Sequence, residues 1–179
     1  TLLHGPLDGF IDELTVRDFR SAGTTVHEAE RGQTGSVGGW TWRVLWPTRR
    51  LPAEPGNPSS VVTLFTSATV GLPSLVDLGD LPAREQELMV NLGGVFPVDV
   101  VKVSHHGSHD QFPVLYQRLH AAVALIGVGV DNDYGHPTDV ALSIVKSTGS
   151  AVVRSDHHGI GLVAKDETGV LRVWTERAG

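Results

Sequence analysis

The sequence predicts a mixed α/β (α+β) fold of stacked β-sheets covered by helices, on three observations. Short apolar runs rich in valine, leucine and isoleucine recur along the chain and read as strands. Strands outnumber helices throughout. In the second half, strand–helix–strand units repeat, the pattern of helices laid over a sheet. With 179 residues the chain can enclose a substantial core, and it is read as a single domain over 1–179.

Leu2 and Leu3 close a strand, and 5–9 is a turn rich in glycine and proline. Glu13 to Ala22 has near-helical spacing, with Gly23 as its C-terminal cap. Thr24 to Ala29 is a short strand, and Arg31 to Gly35 a loop. Trp40 to Trp46 alternates Trp40, Trp42, Val44 and Trp46 on one face with Thr41 and Arg43 on the other, a half-buried strand. The tryptophan row is read as core rather than as a binding platform. Pro47 to Pro58 is too rich in proline for helix or sheet. Ser60 to Thr66 and Leu75 to Leu78 are strands, and Leu81 to Val90 is a helix with Pro82 in its first turn and Glu85 and Glu87 outward. Val98 to Val103 is a buried strand, Phe112 to Leu119 a helix and Val123 to Val128 a strand. Thr138 caps a helix running to Thr148. Ala151–Arg154, Ile160–Val163 and Val170–Trp174 close the chain, the last two as a hairpin through Asp166 to Gly169.

Composition narrows the function. No apolar run approaches the roughly 18 residues of a membrane span, and no signal peptide opens the chain. There is no cysteine, so a metal would need histidine and carboxylate ligands. The formal charge of −6 argues against a broad basic surface for nucleic acid. It leaves room for a phosphodiester substrate where a bound cation supplies local positive charge. Nine histidines is a high count, and four of them lie between His105 and His120.

Polar clusters sit beside the expected strands: Asn57 to Ser60, Gly79-Asp80, His105-His106-Gly107-Ser108, Asp131 to Pro137, and a weaker one at Ser155 to Gly159. Strand ends on one sheet edge bring such segments together. Two histidines and an aspartate there make a divalent site with open positions for water, suited to zinc, manganese or iron. In an extended segment His105 and His106 would point opposite ways, one into the site and one anchoring the loop. Each cluster also has a plain reading: Gly79-Asp80 as a helix start, Asn132 to Pro137 as turn chemistry, Asp156 with Gly159 as an ordinary turn. His27, His109 and His120 carry no functional assignment.

Taken in order, Leu45-Trp46-Pro47, Asn57 with Ser59-Ser60, Gly79-Asp80, Lys102 to Ser108, Tyr134-Gly135-His136-Pro137 and Arg154-Ser155-Asp156 resemble the C-terminal metallo-β-lactamase-like domain of the ComEC family, channel proteins of bacterial DNA uptake. The resemblance runs from about Trp40 onward. It implies an αββα sandwich with the active site at the sheet edges. It implies Asp80 and one of His105 and His106 as ligands of zinc or manganese, and His136 lining the same site, with Ser108 beside it as a second catalytic candidate. Asn57, Ser60 and Asp156 match positions near substrate. The family's His-x-His/Asp-x-Asp-His signature is not in the sequence. His4 and Asp8 have the spacing of a degraded remnant, but the expectation is that the chain begins downstream of the signature and binds metal weakly or not at all.

The resulting expectation is an extracytoplasmic hydrolase-like domain of a polytopic membrane protein. Its partners are DNA and the membrane-embedded channel, without lipid binding of its own. A metal-bound hydroxide would hydrolyse phosphodiesters of the strand that is not imported, with His136 as hydrogen-bond donor or general acid. Two alternatives stay open: another hydrolase of the same fold, such as a lactonase or small phosphodiesterase, and an inactive module that guides DNA or braces the channel.

Overall fold

The computed structural model describes residues 1–7, 9–51 and 54–179, and only the backbone of Phe10; the expectation on Asp8 and part of the 47–58 loop fall outside these residues. A seven-stranded mixed sheet dominates. Its strands, in spatial order, are β3 (Thr34–Val37), β4 (Trp40–Trp46), β5 (Val62–Thr66), β6 (Leu75–Asp77), β7 (Val100–Lys102), β8 (Val123–Ile126) and β9 (Ala151–Arg154). From β3 to β6 neighbours run antiparallel, and from β6 to β9 parallel. Parallel neighbours need crossovers, and helices supply them. α2 (Ala83–Asn91) links β6 to β7, α3 (Pro113–Leu119) links β7 to β8, and α4 (Asp139–Ser147) links β8 to β9.

The crossover helices share one face of the sheet. Met89 and Val90 of α2, Leu115, Tyr116 and Leu119 of α3, and Val145 of α4 form one buried cluster with Leu64, Val76, Val101, Ala124 and Ile126 of the strands. The other face is covered less completely. Val100, Val123 and Val153 there meet Val163 and Leu171 of the closing hairpin, β10 (Gly161–Lys165) with β11 (Leu171–Thr175). An ion pair at 2.6 Å between Lys165 and Asp99 ties this hairpin to the sheet. A parallel pair is formed by β1 (Leu2–His4) and β2 (Val26–Glu28), and Leu3 lines a common cavity with Trp42 and Phe65. Between β1 and β2 lies α1 (Phe10–Ser21), with Val16 buried. The sandwich is therefore uneven, one large sheet opposed by two small pairs.

Most of the expected elements are present, with Gly23 following α1 and the Thr138 hydroxyl accepting the Ala141 N–H at the head of α4. Four expectations are corrected. The loop at Arg31 to Gly35 gives way to β3, an edge strand whose Thr-Gly-Ser-Val sequence carries little apolar signal. The tryptophans do not all share a face: a bulge between Val44 and Trp46 shifts the register, so Trp46 turns into the helix-side core. Trp46 is fully buried with its indole N–H on the Pro58 carbonyl, whereas Trp40 and Trp42 stay half-buried. Glu85 points inward, 4% exposed, with Arg84 Nη1 on its carboxylate at 3.1 Å. α2 begins after Pro82, which leaves Leu81 as a buried loop residue. Among the described residues no helix is long and apolar enough to cross a membrane.

Candidate functional site

Parallel strands all present their carboxyl ends at one sheet edge, and the loops leaving those ends meet there. β6 runs into Gly79-Asp80, β7 into Ser104–Gly107, β8 into Gly127 to His136, and β9 into Ser155–His158 (α5). Together they enclose a cavity of 650 Å³ lined by Asp80, His105, His106, Asn132, Tyr134 and His136 among others. The convergence read from the sequence is met by these residues: Asp80 and three histidines from three loops share one pocket.

The histidine loop is not extended. Ser104–Gly107 forms a 3₁₀ turn, and His105 (φ 46°) and His106 (φ 52°) both lie in the left-handed region. This corrects the idea that the two rings face opposite ways, since both line the pocket. Two consecutive non-glycine residues in that region store strain of about 1–2 kcal/mol each, so the surroundings must impose it. A buried polar network beneath the loop does so. Gln111 Nε2 donates to the carbonyls of Ser104 (3.0 Å) and Ser108 (3.1 Å). Gln111 Oε1 accepts from Gln86 Nε2 (3.2 Å) and from the Tyr116 hydroxyl. The Tyr116 oxygen accepts the Ser104 N–H, and Ser104 Oγ donates to the Leu81 carbonyl. Gln86 also spans from the Leu81 carbonyl to the Phe112 N–H. Burial pushes the Tyr116 hydroxyl far above the usual phenol range, the Ser104 N–H partly offsetting it, so it stays a donor. Sequence reasoning missed this network, because Gln86 stands between Glu85 and Glu87 and Gln111 follows Asp110, so both read as surface residues.

From above, the loop is docked on the segment that carries His136. Gly107 has φ 80°, and a Cβ there would come within 2.6 Å of Pro137 Cβ. The Thr138 N–H donates to the Gly107 carbonyl at 2.9 Å. From the side, the His105 N–H reaches the Gly79 carbonyl at 3.1 Å. Asp80 is held in turn by its own N–H on Ser60 Oγ at 3.1 Å. Gly79 (φ 55°) leaves no room for a side chain, with Ser60 Cβ 2.9 Å from where its Cβ would stand.

The electrostatics centre on Asp80. Lys102 Nζ lies 3.4 Å and His106 Nε2 3.7 Å from its Oδ1. His106 Nδ1 donates to the Gly127 carbonyl at 2.6 Å, which fixes the ring and turns Nε2 toward the carboxylate. A carbonyl behind the ring is a common arrangement for metal-binding histidines. His136 is pushed below the ordinary imidazole range by burial, with the charges of His105, His106 and His109 adding to the effect. It is neutral at neutral pH, and among the described residues its buried Nδ1 has no hydrogen-bond partner. The His136 and His105 rings are 5.8 Å apart, edge to face.

The remaining sequence candidates fall differently. Asn57 reaches the rim, its amide 3.5 Å from His105 Nδ1. Ser60 acts on Asp80 rather than in the cavity. Ser108 is buried, does not line the cavity, and its hydroxyl takes the Asp110 N–H. Asp156 also lies outside the lining; Arg154 grips it at 3.1 and 2.6 Å, while its neighbour Ser155 holds Val128 of the pocket wall. His4 caps β1, its ring against the Gly5 carbonyl.

Whether these residues suit a divalent ion turns on the donors. Asp80 and His106 converge as two, one fewer than the smallest common catalytic set, and Lys102 shares the same carboxylate. Among the described residues no group of three or more histidines and carboxylates is placed to hold a metal. The donors present do not by themselves complete a metal site.

No family model matches the chain. It is 29% identical over 165 residues to ComE operon protein 3 of Bacillus subtilis (strain 168), covering 91% of this chain and 21% of that protein. It is 26% identical over 147 residues to Competence protein ComA of Neisseria gonorrhoeae, covering 78% and 19%. The chain thus spans about a fifth of the length of the curated relatives it matches. These relatives bear out the resemblance to ComEC-like competence proteins.

Proposed function

We propose that this chain is the extracytoplasmic hydrolase-like domain of a ComEC-type DNA-uptake protein, and that its pocket receives a phosphodiester group of DNA. The observation that carries this reading is the meeting of Asp80, His105, His106 and His136 in one cavity at the carboxyl edge of the sheet. His105, whose Nδ1 takes the Asn57 amide, can donate a hydrogen bond from Nε2 to a phosphate oxygen. Neutral His136, with an unpartnered buried nitrogen, can accept or pass a proton there. Lys102 keeps positive charge beside Asp80. A channel domain on this site has DNA and the membrane-embedded part of its own protein as partners.

A second reading has its own observation. Lys102 on Asp80 occupies the carboxylate a divalent ion would need, which favours a module that binds and guides DNA without cutting it. A labelled oligonucleotide, with zinc or manganese present, separates the two. Binding and cleavage, both reduced in Asp80→Ala and His136→Ala, support the hydrolase. Binding alone, reduced in the same variants, supports the guide. No binding by the unaltered chain refutes both.

A further inference from the structure

We propose that Tyr134 is a stacking platform for a nucleobase, so that the pocket takes single-stranded rather than double-stranded nucleic acid. This rests on the phosphodiester reading above and names the form of its substrate. Tyr134 is 85% exposed, yet its ring lines the cavity. Isolated exposed apolar residues are ordinary, and Ile11 (71%) and Val70 (74%) are nearly as bare. Tyr134 differs in where it stands and what lies behind it.

Its ring centroid is 6.2 Å from that of His136, with planes 27° apart, close to parallel. His136 stands 5.8 Å from His105, and His105 6.4 Å from His106, beside Asp80. Aromatic rings therefore run in a row from the mouth of the cavity to its acidic end. The exposure does not come from a loose loop. Asn132 Nδ2 donates to the carbonyls of Gly129 (3.3 Å) and His136 (2.9 Å), and its Oδ1 accepts the His136 N–H at 3.1 Å. The Tyr134 hydroxyl makes no hydrogen bond among the described residues, so what the side chain offers is a flat face.

Charge selects the ligand. Among the described residues no lysine or arginine lines the cavity, Asp131 and Asp133 precede Tyr134 on the same loop, and the whole chain carries −6. Binding through the phosphate backbone needs several cations and falls steeply with salt. Here the affinity has to come from the base, and a base offers its face only when it is unpaired. One nucleotide then lays its base on Tyr134 and its phosphate toward the histidines.

The test is fluorescence anisotropy with a labelled oligothymidine, the same oligomer with abasic sites, and its duplex, on the unaltered chain, Tyr134→Ala, Tyr134→Phe and His136→Ala. Tyr134 is exposed, so both its variants should keep the unaltered melting temperature. Expected is a loss in Tyr134→Ala on the order of 10- to 100-fold, near-full affinity in Tyr134→Phe, and no further loss when the abasic oligomer meets Tyr134→Ala. The slope of log affinity against log salt should be no steeper than about −1, and the duplex should bind more weakly. Unchanged affinity in Tyr134→Ala with a loss in His136→Ala overturns the platform and leaves the phosphodiester reading standing. No binding of any oligomer by the unaltered chain overturns both. Loss of phosphatidylcholine vesicle binding in Tyr134→Ala, with oligomer affinity unchanged, overturns the platform in favour of a membrane anchor.

Discussion

Replacing Gln111 by alanine should detach the histidine loop from its support. The side chain makes four hydrogen bonds, to the carbonyls of Ser104 and Ser108 and with Gln86 and Tyr116. Its loss leaves the Tyr116 O–H, one Gln86 N–H and two carbonyls without partners in a site where Ser104 and Gln86 are fully buried. Each orphaned group costs about 1–3 kcal/mol when it stays dry, and water entering the vacated space recovers part of that. A loss of about 3–5 kcal/mol in unfolding free energy follows. The left-handed pair His105-His106 stores about 2–4 kcal/mol, so the loop should also relax, which stability alone does not report. Urea unfolding gives the first quantity, and the ring ¹⁵N and ¹H resonances of His105 and His106 give the second. Gln111→Glu separates shape from donation. Its carboxylate keeps the volume but cannot donate to Ser104 and Ser108, and protonation in acid restores one donor. A Gln111→Ala cost below about 0.5 kcal/mol, with unmoved histidine resonances, would refute the bracing role.

Two further outcomes follow from the same geometry. Gly107→Ala puts a methyl against Pro137 at φ 80°; about 2–4 kcal/mol of stability should be lost, with displacement of His136 visible in its ring resonances. Asp156 is held below the usual carboxylate range chiefly by the Arg154 hydrogen bonds, burial working against them. Its depressed folded value means the ion pair stabilises above the unfolded value near 3.9 and is lost as pH falls through the lower folded value. Asp156→Asn should therefore be less stable than the unaltered chain at pH 7, with the gap closing below about pH 4 in denaturant titrations at stepped pH; a gap independent of pH would contradict this.

The parallel half of the fold was legible in the sequence because its strands are short apolar runs rich in valine and each crossover carries a helix with a plain start, Pro82, Pro113 or Thr138. The pocket was legible for the same reason: a chain alternating strand and helix delivers its strand-end loops to one edge. What was not legible depends on contacts between distant residues. The bulge at Leu45 reverses Trp46 inside an unbroken apolar run, with Pro47 marking only the strand's end. Glu85 reads as a surface residue by charge, but the α2 face it occupies is covered. Ser60 and Ser108 read as site residues by position, but the structure spends their hydroxyls on backbone N–H groups. The left-handed turn at His105 is set by Gln111, Gln86 and Tyr116, which no local pattern links to it.

Lys102 decides between the cutting and guiding readings. It lies on β7, two residues before the histidine turn, and reaches across to the Gly79 carbonyl and Asp80. Lys102 and Asp80 are about one-third exposed, so their pairing adds little stability. Its effect on the site is larger, because an ammonium ion beside a carboxylate opposes any second cation there. In Lys102→Met, Asp80 and His106 face the cavity without that competitor. Zinc or manganese should then bind more tightly by about 5- to 30-fold, the effect of about 1–2 kcal/mol of removed repulsion after solvent screening. Metal-free affinity for an oligonucleotide should fall in the same variant, because the ammonium beside Asp80 is gone. Calorimetric titration with each metal, and anisotropy with chelator present, read the two changes separately. A gain in metal affinity together with new or faster cleavage makes Lys102 a lock on a hydrolase. A gain without cleavage makes this edge a guide for DNA. Unchanged metal affinity means that the ammonium does not compete for Asp80, and the distinction drawn from it fails.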